Sequence, residues 1–190
     1  MIQTESLSVA TPTCYRNFQE TPMAKKEKML EDLFHETLKD IYYAEKKILT
    51  ALPKLAKAAQ SEDLQAAFED HQGETTDQVE RLEQIFELMK HPAKGKTCDA
   101  INGMIDESQQ VIKEFKGSAA LDAGLIASAQ AVEHYEISRY GTLKAWAEQL
   151  GLQQAVSLLD ETLEEEKKTD EALTELAKAA VNQEAQQAAE

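Results

Sequence analysis

The chain has 190 residues, of which 42% are hydrophobic and only 6% aromatic, with 7 glycines and 4 prolines. So few chain breakers among abundant Ala, Glu, Gln, Lys and Leu exclude a many-stranded β fold and point to one helical domain. The formal charge of −15, from 20 Lys and Arg against 35 Asp and Glu, argues against nucleic acid or an anionic membrane as the main partner and leaves many carboxylates for cations.

No run of about 18 apolar residues occurs, so no membrane span is expected. Met1 to Thr21 lack the basic and apolar regions of a secretory signal. Cys14 and Cys98 are too few for a disulfide scaffold and form no C-x-x-C, which makes the cytoplasm the expected compartment. Residues 1–24 carry Thr11-Pro12-Thr13 and Thr21-Pro22 without a period and are read as a flexible tail. Either Met23 is the true start or the tail is an extension private to this chain.

Residues 25–182 are strongly periodic. The first predicted helix spans about Lys26 to Ala59, with Phe34, Leu38, Ile41, Ile48, Leu52 and Leu55 at spacings of three and four. Pro53 is expected to kink its last turns. Ser61 is a candidate N-cap for a second helix, Glu62 to Met89, which His91-Pro92 stops. A shorter helix is predicted over Asp99 to Phe115. A third long helix follows from Ala119 to Leu150, with Gly151 as its C′ glycine, and a fourth from Gln153 to Val181. Residues 183–190 read as a polar, fraying tail. Two tight hairpins joined by a long connection define an all-α, ferritin-like antiparallel four-helix bundle with a long crossover carrying a short extra helix.

The chemistry lies in residues that interrupt the apolar stripes. An inward helical face should be apolar, and a buried lone carboxylate costs several kcal/mol unless paired or bound to a metal. Glu45 sits between Ile41 and Ile48. His71 lies on the arc of Leu64, Phe68 and Leu82, with Glu74 three residues on and Gln78 continuing the polar line. Glu133 and Glu136 share the arc of Ile126, Ala129, Tyr140 and Leu143. Glu166 and Asp170 continue Leu159 and Leu163. His134 falls further round, as a supporting or surface residue, and Glu164 and Glu165 read as solvated face. Taken singly, each acid has a bland reading as a solvated or hydrogen-bonded residue, and a lone core His is most often simply satisfied. Together, six carboxylates and one imidazole meet at one level of the bundle, so either several are protonated or cations neutralise them. Carboxylate oxygens with imidazole suit two divalent metal ions, Fe or Mn.

At these residues the chain resembles a known family. Asp40-Ile41-Tyr42-Tyr43-Ala44-Glu45-Lys46, His71-Gln72-Gly73-Glu74-Thr75, Val132-Glu133-His134-Tyr135-Glu136-Ile137 and Leu163-Glu164-Glu165-Glu166 are similar to segments of the DUF892 family of YciF/YciE-like bacterial stress proteins, over about residues 26–181. The first 22 residues lie outside the likeness, which favours the extension. The resemblance implies a ferritin-like bundle, a homodimer, a dinuclear site inside the bundle and a link to stress; it names no reaction. Ferritins and rubrerythrins place a Glu on two helices and Glu-x-x-His on the other two. Here the second helix has the reverse order, His71-x-x-Glu74, and the fourth has no His. Glu45, Glu74, Glu133 and Glu166 match the carboxylate positions best, His71 is the one inner imidazole, and Glu136 and Asp170 fill the place of the second His.

Two functions follow. One is a stress-associated protein with a carboxylate-rich Fe or Mn pair, acting in oxidative stress or iron handling, with Tyr42 or Tyr140 hydrogen-bonding nearby. The other is a non-enzymatic helical protein whose buried acids form a structural polar layer and which works through protein contacts. No phosphate loop, nucleophile elbow or zinc spacing suggests other chemistry.

Overall fold

The computed structural model describes residues 27–187, so the predicted N-terminal tail and Cys14 lie outside the described residues. Four long helices carry the fold: α1 (Leu30–Ala58), α2 (Glu62–Leu88), α4 (Leu121–Gln149) and α5 (Gln153–Leu176). The shorter α3 (Asp99–Glu114) lies in the crossover. Among the described residues there is no strand, and no helix is long and apolar enough to cross a membrane.

Local chemistry sets the boundaries. The first helix begins four residues later than the periodicity suggests, because the Asp32 carboxylate accepts the Met29 N–H (2.8 Å) and caps the turn there. α1 is continuous through Pro53, whose ring is exposed. Ser61 caps α2 as expected, accepting from Leu64 N–H. Both hairpins close with the same C-terminal pattern. His91 and Lys90 N–H donate back to Phe86 and Glu87, and Leu152 and Gly151 N–H donate to Ala147 and Glu148. Gly151 takes the required positive φ of 72°; at the first turn Lys90 takes it, at 58°.

The fourth helix does not run straight to Val181. It passes through a π turn, Ala177–Val181, and resumes as α6 (Asn182–Gln187), so helix continues where a frayed tail was expected. The wider turn shifts the register by one residue and brings Val181 onto the face of Leu173, where it is buried.

Around the bundle α1 packs on α2 and α4, and α5 packs on α2 and α4. The crossover runs back along the outside. Lys96 N–H donates to Lys39 C=O early in α1 (3.1 Å), and Tyr43 bonds Asn102 of α3 (3.1 Å). Gln60 reaches the Ser118 carbonyl at the opposite end. The crossover therefore travels the length of α1, and α4 starts beside the start of α2, so diagonal helices run parallel and neighbours antiparallel. Close packing of α3 on α4 needs Gly124, where a Cβ would stand 2.7 Å from Val111 Cγ1.

One buried carboxylate fastens the crossover end. Asp122 Oδ1 and Oδ2 accept the Gln60 N–H (2.9 Å) and Ser61 N–H (2.7 Å) at the head of α2. Replacing it by Ala removes the charged acceptor of two backbone N–H groups at the head of α2. Asp122→Ala should cost about 3 kcal/mol and lower the melting temperature by roughly 6–12 °C, read by calorimetry. An unchanged Tm would show that this link is not structural.

Candidate metal centre

The four long helices each deliver an acid or imidazole to one mid-bundle layer. Glu45 comes from α1, flanked by buried Ile41 and Ile48. His71 comes from α2, Glu133 and Glu136 from α4, and Glu166 from α5. All five are at most 4% exposed. Apolar neighbours a turn away on each helix drive these faces inward, and the acids follow because they share the stripe.

His71, Glu133, Glu136 and Glu166 form the tightest group: each offers one ligand atom, and these atoms lie within 4.8 Å of one another. His71 Nε2 stands 3.4 Å from Glu133 Oε1, and its Nδ1 is 3.5 Å from Glu74 Oε2. Glu45 adjoins this group through Glu136 and accepts the Tyr140 hydroxyl proton in a short hydrogen bond. Donors then run out. One oxygen each of Glu45 and Glu133 and both oxygens of Glu136 and Glu166, six in all, are buried without an N–H or O–H partner.

Desolvation sets the electrostatics. Burial raises Glu136 and Glu166 well above the usual carboxylate range, and the neighbouring carboxylates add to it. Burial also raises Glu133, against the opposing pull of His71. Glu45 is pushed up to about 7 by burial, although its Tyr140 and Glu136 hydrogen bonds oppose the shift. Tyr140 is itself held well above the ordinary phenol range by burial and by the Glu45 charge, so it stays a proton donor. Burial alone would lower His71, but the Glu74 hydrogen bond and the Glu133 and Glu45 charges overcome it and raise the imidazole. Without cations the layer therefore holds protons on facing carboxyls.

The structure separates the remaining sequence candidates. Glu74 lies outside the group of four. Its side chain is 46% exposed and contacts His71 Nδ1 and the Thr169 hydroxyl, which places it to orient the imidazole. The His71 hydrogen bond in turn pulls the Glu74 pKa down. Asp170 also lies outside, at the α4–α5 edge. It accepts from Gln130 Nε2 (2.9 Å) and meets the exposed His134 Nε2 (3.2 Å), so its oxygens are engaged away from the cluster. Tyr42 turns to Glu83 (2.7 Å) and not to the layer, which leaves Tyr140 as the phenol of the site.

Glu165 is not the solvated residue expected. It takes two hydrogen bonds from Arg81, at 2.7 and 2.6 Å, beside the Arg81–Thr162 bond of 2.8 Å and the Gln78–Glu165 bond of 3.2 Å. Glu165 and Glu166 are a step of about 100° apart on the helix. The fork clamps Glu165 to α2 and so fixes the direction of Glu166. Gln78, on the polar line of α2, is fully buried with its Oε1 unpartnered. Only an Arg one helical edge away from that line signalled the clamp.

A buried set of one imidazole and several donor-starved carboxylates is what hard or borderline divalent cations coordinate, through oxygen and nitrogen. Among known proteins, the family model DUF892, a domain of unknown function, matches residues 29–186. Protein YciF of Escherichia coli (strain K12) is 48% identical over 160 residues, covering 84% of this chain and 96% of that protein. The crystal structure of the E. coli stress protein YciF superposes with a TM-score of 0.78 at 48% identity, covering 82% of this chain and 99% of that one. YcfI from Rhodopseudomonas palustris, provisionally described as a structural protein, gives a TM-score of 0.76 at 44% identity, covering 80% and 96%. A Xanthomonas campestris protein at 22% identity and TM-score 0.64, covering 81% and 94%, shares the fold. The matched span includes every residue of the acid layer, and with it the chain belongs to the DUF892 family.

Proposed function

We propose that this protein is a stress-associated, cytoplasmic helical-bundle metalloprotein that holds divalent Fe or Mn, as a pair, in its mid-bundle acid layer. The observation that carries this reading is the set of six buried carboxylate oxygens with no donor, beside a buried imidazole. Unmetallated, each such oxygen loses water without replacing it, at about 1–3 kcal/mol or more per group. Cations remove that cost at every oxygen at once. His71, Glu133, Glu136 and Glu166 would hold the ions, with Glu45 of α1 as a further carboxylate beside them. Glu74 and Asp170, from the larger sequence set, would support from outside.

A bound Fe or Mn pair would supply redox chemistry toward oxygen or peroxide, or oxidation and sequestration of Fe(II). The chain itself prepares that site. Glu74 fixes the ring orientation of His71, Tyr140 donates its hydroxyl hydrogen bond to Glu45 Oε1, and the apolar turns above and below exclude water. The relative named a stress protein supports the physiological setting, and a homodimer is part of the same proposal.

A second reading has its own support. The facing pairs Glu45–Glu136 and Glu133–Glu166 can each share a proton, which would make the layer a structural polar core in a non-enzymatic protein working through protein contacts. The description of YcfI as provisionally structural fits this reading.

Metal analysis of protein purified without chelator separates the two. The metal reading expects bound Fe or Mn, near two ions per chain. Losing even an outer partner of a ligand costs about 10–100-fold in metal affinity, so Glu136→Gln and Glu166→Gln should cost at least that much. Wild-type metal content in both variants would remove the site. Chelation gives a second measure. A site saturated about a thousandfold over its Kd contributes about 4 kcal/mol, so rigorous chelation should lower Tm by roughly 8–16 °C, restored by Mn or Fe. No change on chelation favours the polar layer.

The chelated protein should also be sensitive to alkali. Glu45 is raised from 4.5 to about 7, so the folded state keeps a proton that the unfolded state has lost. Its stabilising effect is complete below pH 4.5 and disappears as pH rises through 7. The raised His71 acts in the same direction. Tm of the chelated protein should fall between pH 5 and pH 8, and Glu45→Gln should flatten that fall. A Tm rising over this window would contradict the protonated layer.

A further inference from the structure

Beside the acid layer lies a second feature of different chemistry. A cavity of about 30 Å³ sits between the helices, walled by Ile48, Leu52, Phe68, Ala129 and Leu173, and it ends on His71 and Glu133. Half-buried Ala67, Ile105 and Thr169 line its outer part, so it leads from the partly exposed surface inward to the imidazole.

Three hydroxyls touch the cavity, and none has a proton to offer. Ser108 donates to the Ile105 carbonyl (2.8 Å), Ser128 to the Gly124 carbonyl (2.9 Å) and Thr169 to the Glu165 carbonyl (3.3 Å) or to Glu74. Each is thus folded back on its own helix or on Glu74, and the cavity wall meets its contents with carbon. At the inner end His71 and Glu133 face each other at 3.4 Å. Those two are the polar groups a guest could meet, and along the rest of the wall a water finds fewer than the two to four polar partners it requires, so that stretch stays dry. Hydrogen peroxide needs donors and acceptors as water does. A cation would lose its hydration shell along the whole wall.

The volume is also selective. A water needs at least about 10–15 Å³ on this measure, so about 30 Å³ is room for one small molecule, such as dioxygen or a single xenon atom. We infer that this cavity is a binding site for a small uncharged apolar molecule, and that its occupant is dioxygen, delivered beside His71 and Glu133. The naming of dioxygen rests on the redox-metal reading above; the apolar cavity does not. Dioxygen enters without desolvation cost and gains dispersion contacts on all sides, whereas charged or hydrogen-bonding oxidants are disfavoured by the same wall.

The test uses the metal-free full chain with two apolar gases. Crystals pressurised with xenon should show an anomalous peak between Leu52, Ala129 and Leu173. In solution, dissolved dioxygen should broaden the methyl resonances of Ile48, Leu52 and Leu173 more than those of other core methyls. Ala67→Leu fills the outer part and Ala129→Val the inner wall. Each should reduce xenon occupancy roughly tenfold by removing the void. Ala67 is half-buried, so its variant remains informative if the Ala129 variant does not fold. Absent xenon, uniform methyl broadening, or an ordered water filling the cavity would overturn the inference. Xenon binding in a protein that takes up no Fe or Mn would uphold the apolar site and sink the metal reading. Metal uptake without gas binding would do the reverse.

Discussion

Acid side chains crowded into a water-excluded layer are the constraint around which this bundle is built. Glu45, Glu133, Glu136 and Glu166 are each at most 2% exposed, and a low-dielectric interior tolerates neither their charge nor their bare oxygens. The helices cannot relieve this by rotating. Each acid shares its stripe with Ile, Leu and aromatic residues that are buried to the same degree, so turning one carboxylate outward would expose a full apolar face. Hydrophobic burial, at about 25 cal/mol per Å², thereby holds the acids where solvation alone would never leave them.

The surrounding polar contacts are arranged to hold that layer in register. Asp122 ties the start of α4 to the head of α2, the Tyr43–Asn102 bond ties α3 to α1, and the Arg81 fork ties α5 to α2. These links sit at different heights along the bundle. A slide of α4 or α5 along α2 would break a charge-assisted contact, stronger than a neutral hydrogen bond, and a slide of α3 along α1 would break the neutral Tyr43–Asn102 bond. The acid layer thus inherits its geometry from contacts made elsewhere.

Much of this was legible from spacing. The stripe of Phe34, Leu38, Ile41 and Ile48 has a period that only a helix satisfies, and an acid at Glu45 in its centre is conspicuous against it. Ser61 and Gly151 are residue types tied to one backbone role, and both occupy it. What was not legible depends on neighbours across the bundle. Whether Glu74 or Asp170 enters the cluster turns on rotamer and on partners far away in sequence, such as Thr169, Gln130 and His134. Glu165 and Glu166 are adjacent in sequence and similar in chemistry, yet one is clamped by Arg81 and the other is fully buried. A difference of about 100° around the helix decides it, which is finer than a period can resolve at a stripe edge. Lys90 in a left-handed turn and the π turn before Val181 are also tertiary outcomes, imposed by the need to close a hairpin and to bury a valine.

The register links bear on which role the acids play. A buried polar layer is useful to a bundle when it is the feature that selects one alignment of helices over others, and it does so through satisfied hydrogen bonds. Here alignment is already specified by Asp122, Arg81–Glu165 and Tyr43–Asn102, all with partners in good geometry. The acids add little specificity to that, and beyond the protons that facing carboxyls can share, six of their oxygens have no N–H or hydroxyl donor. A layer redundant for register and poor in hydrogen bonds is costly as pure structure. The same layer is well suited to cations, which need unsatisfied oxygens held at fixed positions by a scaffold that does not depend on them.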